Sequence, residues 1–113
     1  MHEMALAESV IQIVEETAGR NSAACVRAVW LEIGRLSHVE PEALRFAFDV
    51  VKRNGLAHGA RLEIVATEGT AWCMKCSQTV ALARFGDACP RCGSYQHQVT
   101  AGDEMRVKEI EIE

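Results

Sequence analysis

Residues 4 to 18 place Met4, Ala7, Val10, Ile11, Val14 and Ala18 at the spacing of one helix face, with Glu8, Gln12, Glu15 and Glu16 on the other. Gly19, followed by Arg20 and Asn21, predicts the stop. From Cys25 to Ile33 the chain turns β-branched and aromatic: Val29, Leu31 and Ile33 alternate with Ala28, Trp30 and Glu32. That alternation predicts a strand with at least one buried face, and it makes Cys25 a small core residue. Glu40-Pro41-Glu42 opens a second helix, because proline suits the first helical position and carboxylates suit the positive end of the helix dipole. Leu44, Ala47, Phe48 and Val51 form its apolar face, and Gly55 is its expected end. Leu62, Ile64 and Ala66 then alternate with Glu63, Val65 and Thr67 in a second strand.

A third strand is expected over 105 to 112. Met105 and Val107 share one phase and Ile110 and Ile112 the other, so a β-bulge is predicted at Lys108-Glu109. Two helices are poorly covered by two strands, and the last strand therefore joins the first two across the intervening segment. The fold class that follows is α+β, two helices packed on a small three-stranded sheet. Residues 1–68 plus 103–113 make one unit, and 70–100 an excursion inserted before the last strand.

Length and charge narrow the function. A chain of 113 residues, 49% hydrophobic and 25% charged, supports one modest core. Twelve basic against sixteen acidic residues give a net charge of −4, which supplies no field for gripping a phosphate backbone, so nucleic acid is not the expected partner. No apolar run is long enough to span a membrane, and MHEMALAESV lacks the regions of a signal peptide. A cytoplasmic location is expected.

Under cytosolic conditions thiols stay reduced, so the spacing of the cysteines carries the chemistry. CMKC (Cys73, Cys76) and CPRC (Cys89, Cys92) are separated by twelve residues, and Cys25 stands apart. Two CxxC turns brought face to face complete a tetrahedron of sulfurs, the closed shell of structural zinc. Iron also accepts four thiolates, but Trp72, Phe85 and Tyr95 give less aromatic cover than such sites carry. A redox dithiol lacks the βαβ setting it needs. The excursion is therefore read as a four-cysteine zinc ribbon that depends on its metal to fold. His97, five residues past Cys92, is an alternative donor, with a solvated side chain as its ordinary role.

The start of the chain offers a second donor set. The amine of Met1, the amide nitrogen of His2 and the Nδ1 of His2 can close adjacent chelate rings around one cation, and Glu3 supplies a further donor. Nitrogen donors in a plane suit Ni(II) or Cu(II) and not tetrahedral zinc. Binding weakens as pH falls through the histidine range, because imidazolium cannot ligate.

The MHE start, the stretch VRAVWLEIGRLSHVEPEALRFAFDVV with its IG-x-x-S-x-V-x-P-E-A-L pattern, and the WCMKC and CPRC pairs ahead of an acidic last strand resemble the hydrogenase nickel-incorporation proteins, the HypA/HybF family. The resemblance runs along essentially the whole chain. It implies a metallochaperone that carries Ni(II) as cargo and delivers it, with a HypB-type GTPase, to the large subunit of [NiFe] hydrogenase, urease being a further recipient of some members. By that resemblance His2 is the nickel ligand, supported by Met1 and Glu3, and Cys73, Cys76, Cys89 and Cys92 hold structural Zn(II). The unit 1–68 plus 103–113 becomes the nickel-binding domain. Apart from the resemblance, the chain is expected to be a monomer or weak homodimer.

Enzymatic chemistry has no support, since His38 and His58 have no serine, cysteine or carboxylate partner at motif spacing. The competing reading is a zinc-ribbon adaptor for nucleic acid or transcription, resting on Lys75, Arg84 and Arg91 against Asp87 alone.

Overall fold

Helix α1 (Glu3–Arg20) buries Ala7, Val10, Ile11, Val14 and Ala18, the stripe that the apolar spacing predicts except for Met4, which lies in the first turn and is exposed. The computed structural model describes residues 3–113. After α1 come β1 (Val26–Gly34), α2 (Pro41–Val51), β2 (Arg61–Thr67), β3 (Gly69–Cys73), β4 (Gln78–Leu82), β5 (His97–Ala101) and β6 (Met105–Ile112). One three-stranded sheet has the order β2-β1-β6 and a second the order β4-β3-β5. The expected joining of the last strand to the first two is therefore what forms the first sheet.

Helix α2 packs against α1 and buries Leu44, Ala47 and Phe48. Its start follows from its sequence. Pro41 lacks an amide that would need a partner there, and the Glu40 side chain accepts the Glu42 amide at 3.1 Å. Its end does not lie at Gly55. The helix stops at Val51, where the amide of Lys52 bonds the Phe48 carbonyl, and the following turns are held by side chains. Lys52 Nζ donates to the Ala60 carbonyl at 2.9 Å, and the Glu15 carboxylate of α1 accepts the Leu56 amide at 2.8 Å. A Cβ on Gly55 would collide with that carboxylate, so the glycine is there for close approach and not as a helix cap. Arg45 joins α2 to β2 by donating to the Leu62 carbonyl at 2.6 Å.

Cys25 also departs from expectation. It precedes β1, is half-buried, and its thiol lies 3.5 Å from a carboxylate oxygen of Glu113; the buried small side chains of that strand are Val26, Ala28 and Val29. In β6 the partly buried positions are Met105 and Val107, then Ile110 and Ile112, so the phase changes at Lys108-Glu109 as the residue pattern predicts.

The chain divides into two compact units, Met1–Leu31 with Val39–Ile64 and Val107–Glu113, and Glu32–His38 with Val65–Arg106. The residue pattern puts the excursion at 70–100; the second compact unit also takes in the loop after β1. Leu36 accounts for this. It is buried in a cluster with Ala71, Cys73, Val80, Leu82 and Cys89, and its amide bonds the Gly102 carbonyl at 2.8 Å. Gly34 and Gly102 make the approach possible: a Cβ on Gly34 would strike the Gly102 carbonyl, and Gly102 itself sits at φ +88° against the backbone of Glu68. The sheet of this unit is absent from the sequence expectation. Its strands have five residues each, and only β4, with Val80 and Leu82 inward, carries a readable alternation.

Candidate metal centre

Two tight turns bring the four ribbon cysteines together. The chain leaves β3 at Cys73, and the Ser77 amide returns to the Cys73 carbonyl at 2.9 Å; in the second pair the Gly93 amide returns to the Cys89 carbonyl at 2.8 Å. The residue after each second cysteine adopts the left-handed conformation, Ser77 at φ 53° and Gly93 at φ 77°. Glycine takes that conformation without a Cβ penalty, and serine does not. The two knuckles thus share one backbone design, with serine in one at the left-handed position where the other has glycine.

Backbone amides aim at the first sulfur of each turn. Those of Cys76 and Lys75 point at Cys73 and, with the Cys76 thiol, hold Cys73 down at about 6 against its burial. Burial pushes Cys89 up, but the amides of Arg91 and Cys92 outweigh it and leave its pKa lowered. The hydrogen bond that Cys76 gives Cys73, together with burial, pushes Cys76 up to about 12. Cys92 accepts the Ser94 amide, which lowers its pKa, yet burial and its bonds to Cys73 and Cys89 leave it raised. The physical reading is plain. Four thiolates cannot share this space by themselves, whereas a dication at the centre would be matched by all four.

The sulfurs fit such an ion. All four lie within 4.8 Å of one another, with Cys73 and Cys92 3.6 Å apart and Cys76 and Cys89 3.9 Å apart. A tetrahedron with Zn–S of about 2.3 Å has edges of about 3.8 Å. Among the described residues this is the one group of three or more metal-binding side chains at such range. Cys73 and Cys89 are buried, Cys76 is half-buried and Cys92 is exposed.

The histidines have other partners. His97 Nε2 donates to the Asp87 carbonyl at 2.7 Å, so this ring braces the loop between the knuckles. His38 packs against Phe85 with ring centroids 4.5 Å apart, and His58 Nδ1 donates to the Gly55 carbonyl at 3.2 Å. Of the N-terminal donors, Met1 and His2 lie outside the described residues. Glu3 is the first residue of α1, and its Oε2 accepts the Glu40 amide at 3.4 Å. Glu40, which caps α2, is thereby tied to the start of α1, a link that residue spacing alone does not signal.

A model of the family described as hydrogenase/urease nickel incorporation, metallochaperone, hypA, matches residues 1–112. The chain belongs to the HypA family. A hydrogenase maturation factor HypA of Rhodopseudomonas palustris (strain BisB5) is 61% identical over 113 residues, and one of Albidiferax ferrireducens is 58% identical, each comparison covering 100% of both chains. The fold is similar to the solution structure of the Ni metallochaperone HypA from Helicobacter pylori, with a TM-score of 0.70 and 29% identity over 99% of this chain and 97% of that one. HypA proteins are nickel metallochaperones, and this one has a four-cysteine site that fits structural zinc. The nucleic-acid adaptor reading is not favoured. Among the described residues no helix is long and apolar enough to cross a membrane.

Proposed function

We propose that the chain binds Ni(II) through the Met1 amine, the backbone and Nδ1 nitrogens of His2 and a donor of Glu3, and delivers it during maturation of [NiFe] hydrogenase, while Cys73, Cys76, Cys89 and Cys92 hold zinc as scaffold. The observation that carries this reading is the match to a nickel-incorporation family from residue 1 to 112, which includes the N-terminal donors themselves. Chemistry supports the division of labour. Soft thiolates in a closed tetrahedral shell suit zinc, and nitrogen donors in a plane suit Ni(II). Cu(II) would bind such nitrogens more strongly, so selectivity comes from metal availability and from handover to partners.

Handover also needs ligands that exchange. Glu3 begins a helix, so donors placed there sit beside an anchored backbone yet ahead of the packed stripe that starts at Ala7. The recipient is the hydrogenase large subunit, with a HypB-type GTPase as companion, and the protein acts in the cytoplasm as a carrier and not as an enzyme. Recipient and companion are supported by the maturation-factor role of the relatives.

A Ni(II) titration of purified untagged protein, with zinc counted separately, tests the site. His2→Ala is expected to abolish Ni(II) binding with zinc unchanged, and residues added before Met1 to impair it, because the amine becomes an amide. Undiminished nickel uptake by both variants would show that the donors lie elsewhere.

A further inference from the structure

The four ribbon thiols differ most in their access to solvent. Cys73 and Cys89 are buried and Cys76 is half-buried, whereas Cys92 is exposed. Cys92 lines an open surface groove of about 490 Å³ whose walls include Lys75 and Tyr95, and none of the other three cysteines lines it. Its neighbours leave that side open. Tyr95 is itself 72% exposed, and a Cβ added to Gly93, next in the chain to Cys92, would meet no atom within 4 Å.

Hydrogen bonding separates the sulfurs in the same direction. Metal binding deprotonates all four, so their reactivity is set by access and by what each sulfur accepts. An N–H aimed at a thiolate draws electron density from it and blunts it as a nucleophile. Cys73 accepts the amides of Cys76 and Lys75, and Cys89 those of Arg91 and Cys92, so the two buried sulfurs are both covered and damped. Cys92 accepts that of Ser94. Cys25, the thiol outside the cluster, keeps its proton more firmly than an ordinary cysteine, because burial and the Glu113 carboxylate push it up. Across the cluster, Cys73 Sγ stands 3.6 Å from Cys92 Sγ in the opposite knuckle. An S–S bond between them needs an approach of about 1.6 Å.

We propose that Cys92 is the site at which peroxides modify this protein, and that Cys73 resolves the product into a disulfide joining the two knuckles. The Cys92 thiolate attacks one oxygen of hydrogen peroxide; an S–O bond forms, the O–O bond breaks and hydroxide leaves. The Cys73 thiolate then attacks the Cys92 sulfur, forming the S–S bond and releasing a second hydroxide. Two thiolates have lost two electrons, peroxide has gained them, and both hydroxides become water by taking protons from solvent. The cluster is left with two of its four donors, too few for a closed shell, while the new bond keeps the knuckles together for reduction and reloading. The proposal rests on the reading of the four thiols as the zinc site and is independent of the nickel donors.

The test uses the untagged full chain loaded with zinc, its zinc counted first. One equivalent of hydrogen peroxide is added, zinc release is followed with a chromophoric chelator, and peptides are mapped by mass spectrometry after the remaining thiols are alkylated. The expected product is a Cys73–Cys92 cross-link that appears in step with zinc release, both reversed by a dithiol reductant and fresh zinc. First oxidation at Cys25, Cys76 or Cys89, or a first disulfide between any other pair, overturns the proposal and leaves the zinc reading standing. A second measurement reads the groove itself. Tyr95→Glu places a negative charge in it and is expected to slow the first reaction with a dianionic aromatic disulfide reagent by roughly threefold or more, with zinc content and the rate with neutral N-ethylmaleimide unchanged. An unaltered rate with the dianion shows that attack occurs elsewhere and overturns the assignment. A chain that takes up no zinc before treatment fails the zinc reading and takes this proposal with it.

Discussion

At the scale of the residue, the four thiols show how backbone geometry distributes charge. Cys73 is held at about 6, chiefly by the Cys76 amide, whereas Cys76 is driven up to about 12 as donor to Cys73. Around neutral pH Cys73 is a thiolate, while Cys76 and the raised Cys92 keep their protons. Zinc must displace those protons, and each displaced proton makes affinity fall tenfold per unit of acidification. Lower pH therefore weakens binding, and the slope steepens once Cys73 also protonates. Competition against a chromophoric chelator is expected to show zinc affinity falling by roughly a hundredfold or more per pH unit just below neutrality, and more steeply below about pH 6. A slope near zero between pH 7 and 6 would show that the thiols are not the ligands.

At the scale of the element, the knuckles are the informative pieces. Both close through an amide returning to the carbonyl of the first cysteine, and both put the residue after the second cysteine at positive φ. Only one of those residues is glycine. Ser77→Gly should relieve backbone strain and stabilise the metal-bound ribbon by about 1 kcal/mol, and Gly93→Ser should cost a similar amount. Zinc-exchange rates and chemical denaturation followed by tryptophan fluorescence would check both; a loss of stability in Ser77→Gly would mean that the serine side chain supplies more than its strain removes. The spacing of the CxxC pairs is legible in the sequence because it is local. The left-handed turn is half legible, at Gly93, and hidden at Ser77. Glycine in α2's exit turn misleads for the opposite reason: Gly55 answers to a carboxylate forty residues away in sequence, so its meaning belongs to packing between elements.

At the scale of the whole molecule, two units are built on different sources of stability. The first buries stripes of α1 and α2 and needs no metal for its core. The second has a small cluster in which two of the six buried residues are zinc-site cysteines, so its folding free energy must come largely from the ion. Cys76→Ser is expected to release zinc and unfold the ribbon while most of the far-UV helical signal persists, since both helices belong to the first unit. Collapse of the helical signal together with zinc would show that the units fold as one. The charge divides with the units as well: the second carries five basic and five acidic residues, and the first, with seven against eleven, holds the whole net charge of −4.

Linear order was enough to establish two amphipathic helices, the strands β1 and β2, the return of the last strand, and a pair of CxxC turns that must meet around a metal. Each of these is a periodicity or a short-range spacing, and such signals survive in one dimension because they reflect repeats of the backbone itself. Tertiary structure alone decided that Leu36 joins the ribbon core, that Gly34 and Gly102 exist to let two backbones pass, that Glu40 meets Glu3, and that Trp72 faces solvent while Cys73 beside it is buried. These depend on which distant segments come into contact, and no periodicity along the chain encodes a partner that lies dozens of residues away.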